Sequence, residues 1–254
     1  MNLEMYYGII IFIMGICIGS FLNVCVYRIP KGESIVNPPS HCTNCNNKIK
    51  WYDLIPIFSW IFLRGKCRHC KEKISPRYLL VELFTGIIFV LIFFKFGFSI
   101  ETIKYVVLTI FLIVIGLIDF DTTDVYDMHI ILASIFGIIF LGIGYFTSNN
   151  IMPYIYGILL GGGLISLIIL LTGGMGWGDA EICALCGLYL GLSNTVVTLF
   201  FSFIIGGLFG AILLVSKKKG GKDAIPFGPF IAIAAFIAML CGDNIVNWYI
   251  NRFF

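Results

Sequence analysis

Two stretches of this chain place acidic residues where apolar sequence stops. The first is Gly116-Leu-Ile-Asp119-Phe-Asp121, followed by Asp124 and Asp127. The second is Gly174-Met-Gly176-Trp-Gly178-Asp179. Ionisable groups within or at the edge of apolar spans are costly, which makes them functional candidates. Peptide hydrolysis gives a reason for two of them. One carboxylate takes a proton from water while a second, protonated, polarises the scissile carbonyl. Close together in a low-dielectric site the two cannot both ionise, and their titration belongs to the pair. The glycines at 173, 174, 176 and 178 permit extended or positive-φ backbone and close approach by a substrate strand. Other readings stay open at this point: Asp121, Asp124 and Asp127 as a solvated loop, Asp179 as a cap for the helix that follows, or the acids as the ion pathway of a polytopic ion or metal transporter.

The cysteines form a second constellation. Cys42-x2-Cys45 is followed after 21 residues by Cys67-x2-Cys70. Two such knuckles suit a tetrahedral four-thiolate zinc site, structural rather than catalytic because four sulfurs leave no open position. Lys66, Arg68 and Lys71 favour thiolate and offset the charge of the centre. A disulfide pair is the alternative, disfavoured if the loop lies in a reducing compartment. His41 and His69 adjoin the ligands and are read as bystanders. Cys183-x2-Cys186 lies in an apolar run without a second pair, and Cys17, Cys25 and Cys241 are isolated; all are read as packing residues.

The elements that must position these groups are membrane spans. Hydrophobic residues are 59% of the 254 and charged residues 12%, a balance that excludes an ordinary soluble domain. Apolar runs at 6–27, 78–96, 102–119, 128–147, 152–172, 180–192, 194–216 and 227–250 read as about eight transmembrane helices in an all-α polytopic fold. With the first run crossing from outside to inside, 14 of the 17 basic residues fall on the inner side. Asp119 and Asp179 then share that face, because two complete spans separate them. Glu4 before the first run, and the lack of Lys or Arg there, argue for a retained span rather than a cleaved signal. The net charge of +3 arises mainly from a basic loop beside the membrane and gives no argument for nucleic acid. Lys217–Lys222 reads as a short basic anchor on the inner face.

In order along the chain stand Gly19-Ser-Phe-Leu-Asn23-Val, Tyr27-Arg-Ile-Pro30, the paired cysteines around Ile55-Pro56 and Leu63-Arg-Gly-Lys-Cys67, Ile74-Ser-Pro-Arg77-Tyr with Val81-Glu82, Gly176-Trp-Gly178-Asp179 and Pro226-Phe-Gly-Pro229. This series resembles the bacterial type IV prepilin leader peptidases, bifunctional enzymes with a G-x-G-D signature. The resemblance implies intramembrane aspartyl proteolysis by Asp119 and Asp179, removing basic leaders from prepilin or pseudopilin substrates after a glycine. It implies N-methylation of the new N-terminal residue with S-adenosylmethionine as donor, and a cytoplasmic-facing site in the bacterial inner membrane. Two positions depart from the pattern: Tyr126-Asp127 where Pro-Asp is usual, and Glu181 where Lys is usual. Glu181 either acts on the neighbouring carboxylate or faces away.

On the same resemblance, residues 1–100 carry the first two spans and the zinc loop (28–77) and are associated with methylation, and residues 101–254 form a six-span peptidase domain. No G-x-G-x-x-G follows a strand, so no Rossmann-type donor site is expected and no donor-binding residue is assigned. Asn23 is open between an interhelical hydrogen bond and a ligand contact. Glu82 is open between pairing with Arg77 and lining the site. Pro226–Pro229 is expected to be a structural break before the last span, and oligomeric state is not legible.

Overall fold

Apolar runs of membrane length satisfy their backbone polar groups internally only as helices, and that is what the chain builds. The structure, a computed structural model, describes residues 3–147, 150–216 and 225–253. Helices run over Leu3–Arg28 (α1), Phe58–Phe62 (α2), Pro76–Phe96 (α3), Ile100–Thr122 (α4), Asp127–Phe146 (α5), Met152–Thr172 (α6), Trp177–Val215 (α7) and Gly228–Phe253 (α8). All but α2 are long and apolar enough to cross a bilayer. The chain divides into two compact units, Met1–Thr102 and Ile103–Phe254. The basic stretch 217–222 lies outside the described residues.

Among the described residues the long helices number seven rather than eight, because the runs 180–192 and 194–216 merge into the single 39-residue α7. A straight helix of that length would extend about 58 Å, nearly twice a hydrocarbon core of about 30 Å. It is not straight. Gly191 has φ 75° and ψ 175°, a conformation open essentially only to glycine. The contacts of α6 show what the break does. A side chain on Gly161 would collide with the Cys183 carbonyl and come within 3.3 Å of Thr195. Residues 12 apart in one straight helix are about 18 Å apart and cannot both flank one glycine. The chain therefore turns back at Gly191, and α7 is a helical hairpin. Its first limb carries Asp179 at its N-terminal end.

In the first unit α1 and α3 pack antiparallel. Gly8 faces Phe94, Gly15 faces Gly86, and Gly19 faces Glu82; a Cβ on Gly15 would lie 2.7 Å from the Gly86 Cα. Small residues at this spacing let helix backbones approach closely in lipid. Ser75 caps α3, accepting from the Arg77 N–H at 3.3 Å, with Pro76 in the first turn.

In the second unit, Leu108, Leu112, Ile115 and Asp119 form one buried stripe along α4. Asp119 thus continues the core face of its helix. On α5 only Ala133 and Gly137 are buried, against Leu188 and Tyr189 of α7, and the Tyr189 hydroxyl donates to the Ala133 carbonyl at 2.7 Å. Cys183 and Cys186 are buried as packing residues, as is Cys25, but Cys17 and Cys241 are exposed, so these two do not pack inside the protein.

Candidate active site and cysteine centre

The residues around Asp119 separate by helical phase. Asp119 is 4% exposed, whereas Asp121 in the last turn of α4, Asp124 on the connecting turn and Asp127 at the start of α5 are exposed. Thr123, at φ 59°, ends α4. Asp119 Oδ2 accepts the backbone N–H of Gly228 at 2.8 Å. That amide belongs to the first turn of α8, where N–H groups have no partner within the helix and the dipole favours negative charge.

Asp179 is 7% exposed and lies in the first turn of α7, accepting the Gly176 N–H at 3.2 Å. The Asp119 carboxyl, at the C-terminal end of α4, therefore meets the N-terminus of α8, and Asp179 lies at the N-terminus of α7. Two contacts bring their segments together. A side chain on Gly228 would begin 2.7 Å from Asp119 Oδ2 and 3.2 Å from Ile182 Cδ1, and Ile182 is one turn beyond Asp179 on the same face of α7. The Val125 side chain, six residues after Asp119, occupies the space over Gly178, the residue before Asp179. Glu181 is exposed while Asp179, Ala180, Ile182 and Cys183 are buried, so it faces away from this cluster.

From sequence the Pro226–Pro229 motif reads only as a break in the chain. It breaks it and also supplies the Gly228 amide to Asp119. A backbone donor has no side-chain signature, so the only hint in the sequence was the pair of prolines setting the start of a helix.

The cysteine loop lies in the first unit. Its two halves repeat one hydrogen-bond pattern. Cys42 N–H donates to the Asn47 carbonyl and Asn46 N–H to the Cys42 carbonyl; Cys67 N–H donates to the Glu72 carbonyl and Lys71 N–H to the Cys67 carbonyl. The matching residues Asn46 and Lys71 both have positive φ, 56° and 62°. The four Sγ atoms lie within 4.8 Å of one another, with Cys42 and Cys70 3.8 Å apart. Tetrahedral zinc with Zn–S of about 2.3 Å requires sulfurs about 3.8 Å apart, so the donor set fits the metal. The N–H groups of Cys70 and His69 hold the Cys67 thiol down to about 7. At Cys70 the Glu72 N–H favours thiolate, but desolvation and the other three sulfurs push it up to about 11. Arg68 forms a bidentate pair with Asp53, 2.8 and 2.6 Å, which holds the Asp53 carboxyl below its ordinary value and ties the second knuckle to the segment between them.

Asn23 donates to the Tyr78 carbonyl at 3.1 Å, an interhelical hydrogen bond between α1 and α3. Glu82 turns to the Ile57 N–H at 2.7 Å and to Ser20 rather than to Arg77.

Comparison with known proteins agrees with this architecture. Residues 13–96 match the family model described as the bacterial peptidase A24 N-terminal domain, and residues 106–211 match that of the type IV leader peptidase family. A protein of Aeromonas hydrophila named prepilin leader peptidase/N-methyltransferase is 33% identical, covering 99% of this chain and 97% of its own. One of Bacillus subtilis with the same name is 34% identical, covering 95% and 97%, and one of Pseudomonas aeruginosa is 32% identical, covering 94% and 92%. No solved structure matches. Nothing in these matches favours a transporter.

Proposed function

The chain belongs to the type IV leader peptidase family, and from that premise we propose that it is a multi-pass bacterial membrane enzyme that cleaves leaders from prepilins and pseudopilins and N-methylates the new N-terminus. Asp119 and Asp179 share the activation of water, one as base and one as acid. The observation that carries this reading is their convergence: two buried carboxyls at two helix N-termini, joined through Gly228, Ile182 and the Val125–Gly178 contact. A substrate's extended leader segment would meet them at the glycine-rich turn before α7. Residues 101–254 are the peptidase part and residues 1–100 the methylation part, and the division of the chain at Thr102 and Ile103 supports that partition.

Cys42, Cys45, Cys67 and Cys70 bind one structural Zn2+, which holds the 28–77 loop in shape. S-adenosylmethionine is the methyl donor. The enzyme sits in the inner membrane with both aspartates toward the cytoplasm, an orientation supported by the concentration of basic residues in the cysteine loop.

The test uses purified full-length enzyme in lipid with a prepilin and methyl-labelled S-adenosylmethionine. Leader loss and label on the new N-terminus are measured separately. Both are expected; an enzyme that leaves the leader intact overturns the peptidase assignment, and one that cuts without labelling overturns the methylation assignment.

A further inference from the structure

The first unit contains a cavity of about 450 Å³ that the leader peptidase reading leaves unused. Its volume is in the range of small-molecule sites. Two helix stripes form its walls. Ser20, Asn23, Val24, Tyr27 and Arg28 follow one face of α1, and Ser75, Tyr78, Leu79 and Glu82 follow the facing side of α3. The close glycine packing of these helices ends at Gly19 and Glu82, and the cavity opens from there, beside Ser20 and Glu82. Both knuckles and Trp60 close the remaining sides.

Glu82 is the unusual group in this space. It is 8% exposed, and its hydrogen bonds come from one amide and one hydroxyl. Among the described residues it has no ion-pair partner. A buried carboxylate without a cation is costly. The amide it holds belongs to Ile57, at φ 63°, a conformation a β-branched residue rarely takes. Strain of that kind collects at functional sites. Elsewhere on the lining, Arg28 is buried, Tyr78 and Trp60 are aromatic, and the Tyr27 ring carries the Lys31 ammonium 3.5 Å from its centroid.

We propose that this cavity is the S-adenosylmethionine site, with Glu82 as counter-ion to the donor's sulfonium and the aromatic residues and Arg28 receiving its adenine and carboxylate ends. The inference rests on the methylation reading above. The chemistry separates donor from acceptor. A peptide amine attacks as the free base, and a carboxylate beside it would favour the unreactive ammonium. A sulfonium is permanently charged, so a carboxylate stabilises it without that conflict.

The test measures binding of S-adenosylmethionine and of its uncharged thioether product, S-adenosylhomocysteine, to the full chain in detergent by calorimetry. Two variants are compared with the wild type. Glu82→Gln removes the charge, and Val24→Trp fills the cavity without touching the Glu82 bonds. Zinc content and the thermal unfolding midpoint report folding. Glu82→Gln is expected to weaken S-adenosylmethionine at least tenfold and the thioether less, and Val24→Trp to weaken both at least tenfold. Wild-type protein that binds and transfers methyl groups, with both variants folded and binding as tightly, overturns the site alone. Wild-type protein that neither binds the donor nor labels a cleaved peptide overturns the methylation reading beneath it.

Discussion

The side chain of Val125 stands where a side chain on Gly178 would have to begin, its Cβ 2.5 Å and its Cγ2 2.6 Å from that point. The residue before Asp179 is glycine because the strap that follows Asp119 passes over it. The contact couples the heights of the two acids. Gly178→Ala is expected to lower the leader-cleavage rate at least tenfold, by displacing either Asp179 or the strap. Val125→Gly in the same chain removes the obstructing Cβ and is expected to recover much of the loss. A Gly178→Ala enzyme that cleaves at the wild-type rate refutes this role.

Asp119→Asn and Asp179→Asn each remove one member of a pair that works as a unit. Each is expected to lower cleavage by about 10²–10⁴-fold, the usual size of a positioned acid or base contribution. Labelling of an already cleaved peptide should continue in both. The exposed Asp121 and Asp124 provide the contrast: changed to Asn, they should retain cleavage within a few fold. Prepilin processing in membranes, followed on gels, reads all four.

The cysteine centre predicts a pH dependence with a definite sign. In the metal-free loop Cys67 titrates at about 7 and Cys70 at about 11. Metal binding must displace the protons that remain, so affinity falls as pH is lowered, most steeply once Cys67 is also protonated below about 7. Zinc affinity measured by chelator competition should weaken steadily from pH 8 to 6. Cys42→Ser or Cys67→Ser should reduce bound zinc from one per chain toward none, read by elemental analysis.

Gly191 turns the chain between the two limbs of α7 at φ 75° and ψ 175°. Any side chain there is strained by about 1–3 kcal/mol. Gly191→Ala is expected to lower the thermal midpoint and the yield of folded protein in detergent. Gly163, which has open space around the position of a side chain, should accept alanine without either effect.

How much of this was legible beforehand varies with the physics behind each feature. The C-x2-C pairs predicted the sulfur cluster because four cysteines at that spacing already carry the local geometry of two knuckles. Membrane spans were legible from apolar length, and their ends agree within a few residues. The hairpin in α7 reads in the sequence as two spans, yet its hinge is a single glycine among 28, distinguished only by its backbone angles and by Gly161 touching both limbs.

Within the acid-rich turn, the sequence by itself determined which residue types were available and that two complete spans lie between Asp119 and Asp179. It could not determine which acids are buried, since that depends on helical phase against α7 and α8. Only the tertiary structure turned Glu181 outward, set Val125 on Gly178 and brought the Gly228 amide to Asp119. The last two are contacts between segments remote in the chain, one made through the absence of a side chain and the other by a backbone amide. Residue type encodes chemistry and local propensity, whereas the approach of distant backbones is decided by how whole helices pack.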